Sequence, residues 1–141
     1  MYVQGTVTTA NVVKVLPRLD EDGINVRIVA AISPQLFAMQ DQAYRDRIRS
    51  ESDRWDSMAV TNRAFKLMRD WVDGPLAQEY SLSSDWDNRW RTGGTVDEVM
   101  DEAHLGPDHI FEAIRRYAAD ADERRSRLRA VVDGIGRPVS G

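Results

Sequence analysis

Short apolar runs that alternate with helical patterns predict an α/β fold, a three-layer α/β/α sandwich with a mainly parallel sheet. Two observations carry this expectation. Tyr2 to Val7 and Ile24 to Ile32 are rich in valine and isoleucine, as strands are. Each is followed by a stretch whose apolar residues recur at helical spacing. A chain of 141 residues is long enough to bury one sizeable core. It reads as a single domain over residues 1–133 with a flexible tail at 134–141.

Tyr2 to Val7 is the first strand, and Thr8 or Thr9 is placed to cap the helix after it. Val12, Val13, Leu16 and Leu19 form that helix's apolar stripe; Pro17 is expected to kink or shorten it. Gly23 then closes it as a left-handed terminator. Ile24 to Ile32 is read as a largely buried second strand, covered on both faces. Ser33-Pro34 opens a helix carrying Leu36, Phe37 and Met39, and more helix follows through Tyr44 to Ile48. Asp56 to Thr61 is a third strand, Phe65 to Val72 a helix ending near Gly74-Pro75, and Glu79 to Ser83 a fourth strand. Thr95 and Glu98 match a capping box, and Pro107 starts the last helix, with Ile110, Phe111, Ile114 and Tyr117 inward. From Asp120 to Arg129 that helix is dense in charge and is read as solvated, including Arg124-Arg125 and Arg127 to Arg129.

A formal charge of -4 argues against a nucleic-acid partner, whose phosphates need a basic face. The chain has no cysteine, which excludes disulfides, thiolate metal sites and a thiol nucleophile. The longest mostly apolar run, Ile28 to Ile32, is too short to span a bilayer, and the first residues lack a signal-peptide pattern. These features predict a cytoplasmic protein with neither nucleic-acid nor membrane partners.

From Ile28 to Arg45 the pattern is more particular: a strand, Ser33, Leu36-Phe37, Gln40 and Tyr44-Arg45. It resembles the signature of transketolase carboxy-terminal domains, in which a strand leads to a Ser-x-x-Leu-Phe helix, then glutamine and a Tyr-Arg pair. Leu19 to Gly23 and Ile24 to Val29 resemble the preceding helix end, glycine and strand. Trp90, the Arg91-Thr92-Gly93-Gly94 turn and Val99 to Glu102 are similar to the family's aromatic residue, small-residue turn and following helix. The likeness covers roughly residues 5 to 118. Ile32 stands where the family usually has proline and Arg91 where it usually has glycine, and Thr61 to Tyr80 fits only loosely.

This resemblance implies ketol transfer between sugar phosphates in a complete assembly that contains thiamine diphosphate and Mg. The family holds that cofactor with a Gly-Asp-Gly…Asn stretch and a glutamate in other domains, and no Gly-Asp-Gly occurs here. The chain is therefore expected to be a carboxy-terminal domain or split subunit that binds no cofactor itself. Its expected partners are the cofactor-binding domains or subunits, and a homo-oligomer is a further option. The alternative is a free-standing ligand-binding or regulatory domain that recognises a phosphorylated or anionic ligand.

No residue is assigned to catalysis, cofactor binding or metal ligation. The two histidines, His104 and His109, are five apart across Pro107, so they are read as separate surface or half-buried residues rather than a metal pair. Glu79, Asp85 and Asp87 are read as loop carboxylates in preference to an acid/base pair. The candidate site is the segment of Trp86, Arg89, Trp90, Arg91, Thr92, Gly93 and Gly94. Backbone N–H groups at a Gly-Gly turn beside two arginines suit an anion, although Asp97 and Glu98 compete for the same helix start. Tryptophans four apart with flanking arginines suit core packing or, next, a protein interface.

Overall fold

The computed structural model describes residues 1–91 and 93–135. Strand β1 (Tyr2–Gln4) leads into α1 (Thr6–Glu21), and β2 (Val29–Ala30) into α2 (Pro34–Ala38), α3 (Gln42–Ile48) and α4 (Glu51–Trp55). Strand β3 (Ala59–Thr61) precedes a 3-10 turn over Phe65–Met68, α5 (Ala77–Tyr80) and β4 (Leu82–Ser83). The chain then runs through α6 (Val96–Glu102), α7 (Pro107–Ala119) and α8 (Ala121–Ile135). All four strands are parallel, in the order β2-β1-β3-β4, so the α/β class and the parallel sheet follow the sequence expectation.

Alternating side chains give each face of this sheet its own core. Val3 and Val60 join a cluster with Val12, Val15 and Leu19 of α1 and Ile110, Phe111 and Ile114 of α7. Tyr2 and Ala59 point the other way, into a cluster with Phe65, Met68, Trp71 and Val72. Asn11, buried beneath α1, donates its Nδ2 to the Leu105 carbonyl at 3.0 Å and so ties α1 to the entrance of α7.

Several boundaries differ from the sequence reading. Helix α1 begins at Thr6, so neither Thr8 nor Thr9 caps it. Gly5 takes φ 99°, which only glycine adopts cheaply, and the Asn62 side chain packs where a Cβ would stand. The Thr9 hydroxyl instead bonds back to the Gly5 carbonyl at 2.7 Å. Pro17 lies inside α1 without ending it; Pro17 and Val13 are both exposed, so the carbonyl that proline leaves unbonded faces water. Gly23 closes the helix at φ 69° as expected.

The buried second strand is corrected. Only Val29–Ala30 pairs, at a sheet edge, and Ile32 is 84% exposed. Ile24, Val26 and Ile28 still pack on the first core, but as extended chain rather than ladder. Ser33 caps α2 by accepting from the Leu36 N–H at 3.2 Å, with Pro34 in the first turn. Phe65 to Val72 makes only a 3-10 turn, yet its apolar residues fill the second core. Glu79 to Ser83 divides between α5 and β4.

The last helix divides at Asp120, and the solvated reading of Arg124 is overturned, because this residue is 3% exposed. Its Nε donates to Asp56 at 2.8 Å, and its guanidinium lies 3.5 Å above the Tyr117 ring. Tyr117 donates its hydroxyl to the same carboxylate at 2.9 Å. Arg127 also leaves solvent in part, forking onto Glu79 at 2.9 and 2.6 Å. Gly134 belongs to α8, and the rest of the expected tail, from residue 136, lies outside the described residues. Among the described residues no helix is long and apolar enough to cross a membrane.

Candidate functional site

In a parallel sheet every strand ends on the same edge, where loops converge and ligands or partners are met. The residues after β3 and β4, among them Asn62, Ser84 and Asp85, face Val99 and Met100 of α6 across a cleft of about 590 Å³. Arg89, Trp90 and Arg91 of the expected site line this cleft. Trp86 stands in the same loop, and Gly93 and Gly94 are exposed ahead of α6. Thr92, the remaining member, lies outside the described residues.

The loop is held by its own polar groups. Asp85 Oδ1 accepts from Ser83 Oγ at 2.7 Å and from the Phe65 N–H at 3.0 Å. Burial pushes the Asp85 carboxyl upward, but these bonds to its charged form outweigh that and leave it below the ordinary range. Arg91 forks onto Asp87 at 2.9 and 2.7 Å and reaches the Ser84 carbonyl at 3.2 Å. Hydrogen bonding from Arg91 holds Asp87 low, and the same pair holds the guanidinium high. Arg91's charge is thus matched within the loop. Glu98 completes the α6 cap by accepting from the Thr95 N–H and hydroxyl, both at 2.8 Å, where an anion at the Gly-Gly turn would compete. Glu79, Asp85 and Asp87 each have such a structural partner.

The two tryptophans separate. Trp86 lies over His104 with ring centroids 4.2 Å apart, and His104 lies over His109 at 4.4 Å and 8°. The histidines are half-buried, as read, but they are not separate: Leu105 N–H bonds to the Met100 carbonyl at 2.7 Å, closing α6 in a Schellman turn with His104 at φ 56°. That left-handed backbone costs a non-glycine residue about 1 kcal/mol, and it turns the imidazole between its two neighbours. Trp90 takes no part in the stack and is 97% exposed. The stack was missed because its rings are brought together by that turn, and only Gly106-Pro107, marking a helix boundary, hinted at it.

The sequence has no Gly-Asp-Gly, and among the described residues no group of three or more His, Asp or Glu gathers to hold a metal ion. Fold and cleft together define an α/β protein with an all-parallel, four-stranded sheet and an aromatic, arginine-bearing loop at its carboxyl edge. No protein-family model matches the chain, and no curated protein matches it.

Proposed function

We propose that this chain is a transketolase-type carboxy-terminal domain or split subunit, a three-layer α/β/α sandwich that completes a cytoplasmic ketol-transferring assembly without carrying its catalysis. Thiamine diphosphate and Mg would be held by the partner domains. The observation that carries the reading is Trp90, 97% exposed at the rim of the carboxyl-edge cleft. An indole with so little cover from its own chain is the kind of anchor that a partner buries, and such anchors contribute about 2 kcal/mol or more to an interface. The parallel sheet and the ordered likeness at Ser33 to Arg45 and Trp90 to Glu102 support the same reading.

The test is reconstitution. The purified chain is mixed with a transketolase-type polypeptide carrying the Gly-Asp-Gly…Asn cofactor domains but lacking its own carboxy-terminal domain. The expected result is a complex in sedimentation and a gain of ketol transfer, both lost in Trp90→Ser. Turnover of sugar phosphates by this chain alone, or no association with such a polypeptide, would overturn the reading.

A further inference from the structure

A second cavity, of about 490 Å³, lies among α2, α3 and α4, away from the loops of the cleft. Phe37 and Ala38 form part of its wall. Three guanidinium groups, from Arg45, Arg49 and Arg54, also line it, with Asp70 as the one carboxylate in the lining. Like charges one helical turn apart repel, and Arg45 and Arg49 stand in that relation at the end of α3.

Each guanidinium is placed differently. Among the described residues Arg45 donates to neutral acceptors only, the Ala38 carbonyl at 3.0 Å and Gln42 Oε1 at 2.6 Å. Those bonds orient its charge without cancelling it. Arg49 is fixed by the Trp71 carbonyl at 2.9 Å and by Asp73 at 2.5 Å. Among the described residues the Arg54 side chain has neither a hydrogen bond nor an ion pair. Its place follows from Gly74, where a Cβ would collide with the carbonyl oxygens of Arg54 and Trp55. The missing side chain lets the 73–75 segment press against the end of α4. Arg27 anchors the start of α4 through Asp53 at 2.5 Å.

We propose that this cavity binds the phosphoryl group of a small organic phosphate, with the organic portion against Phe37. Among the described residues Arg45 and Arg54 lack a carboxylate partner and outweigh the Asp70 carboxylate, while Arg49, already paired with Asp73, adds hydrogen-bond donors. This suits a phosphoryl group, whose three oxygens accept several charge-assisted bonds. A single carboxylate is satisfied by one fork and would leave the others uncompensated. The cavity shares no residue with the cleft, although Phe37 and Arg45 belong to the Ser33 to Arg45 segment that supports the assembly reading; anion binding by the chain alone and association with a partner are therefore measured separately.

Calorimetric titration at low ionic strength with inorganic phosphate, pyrophosphate and citrate tests it. Pyrophosphate is expected to bind saturably and raise the melting temperature, phosphate to bind more weakly and citrate more weakly still. Arg54→Gln and Arg45→Gln should each weaken pyrophosphate by about tenfold or more, while Arg125→Gln on α8 leaves its affinity unchanged. Arg54→Gln is the decisive variant, since it removes no contact that the fold uses, and its unchanged far-UV circular dichroism is the check. Absence of saturable pyrophosphate binding would overturn the proposal. So would unchanged affinity in both variants, or citrate binding as tightly as pyrophosphate.

Discussion

Arg124 on α8 is 3% exposed, whereas Trp90 beside the cleft is 97% exposed. Each stands where the other's chemistry would ordinarily place it. Arg124 can be buried because every part of it is met from within the chain: Asp56 neutralises it, and the Tyr117 and Tyr80 rings lie under it at 3.5 and 5.1 Å. Among the described residues Trp90 has no comparable cover, and its loop is instead held by the polar contacts of Asp85, Asp87 and Arg91. The contrast separates two kinds of closure. Around Arg124 the molecule closes on itself, while around Trp90 the indole is left open, where the proposed partner would close over it.

The strongest way to break this comparison is Arg124→Ala. Removing one partner of a buried pair leaves Asp56 without its cation, and a loss of about 3 kcal/mol is expected in urea unfolding. A loss under about 0.5 kcal/mol would mean that the pair does not hold α8. Tyr117→Phe removes only the hydroxyl donated to Asp56 and should cost about 1 kcal/mol.

The two regions should also answer pH in opposite directions. Burial, followed by the nearby Asp56 charge, raises the Tyr117 phenol well above its ordinary value; burial also raises Tyr80, and takes Tyr2 to about 12. Unfolded phenols ionise near pH about 10. Folding stability from these groups is therefore complete below that pH and is lost as pH rises above it toward the folded values. Tyr117→Phe should flatten part of the alkaline limb. Asp87 behaves conversely, because Arg91 depresses it. Its contribution is present above the unfolded carboxyl value of about 4 and is lost as pH falls through the lower folded value. Trp86 fluorescence should report that acid transition and lose it in Asp87→Asn. The smallest effect on stability belongs to Trp90→Ser, expected within about 0.5 kcal/mol of the parent. A larger loss would show that Trp90 packs within its own chain after all.

Local chemistry made much of the fold legible. The Thr95–Glu98 box, the Ser33 cap, the Gly23 terminator and the parallel sheet all depend on nearby residues or simple periodicity. The misreadings have a common cause in distant partners. Ile24 to Ile32 has strand composition, but its place at the sheet edge leaves only Val29–Ala30 in a ladder. Arg124 sits in a run of charge and is singled out only by Asp56, far away in sequence. At the candidate site the loop residues could be named in advance. The His104 stack and the pairing of Arg91 with Asp87 required coordinates. The Arg45, Arg49 and Arg54 cavity was hidden for the same reason, since Gly74 brings α4 against a later segment.

The packing of α1 on α7 has a consequence for synthesis. Asn11 finds its acceptor only when Leu105 has been made, and β1 must await Val29 and Ala59 for its two neighbours. A nascent chain thus carries the Val12, Val15 and Leu19 stripe only partly covered, by strand residues such as Val3 and Val60, until Ile110 to Ile114 emerge. Contacts of such long sequence separation form slowly and leave apolar surface open to aggregation meanwhile. Within this domain the helix made first is among the last to be fully covered.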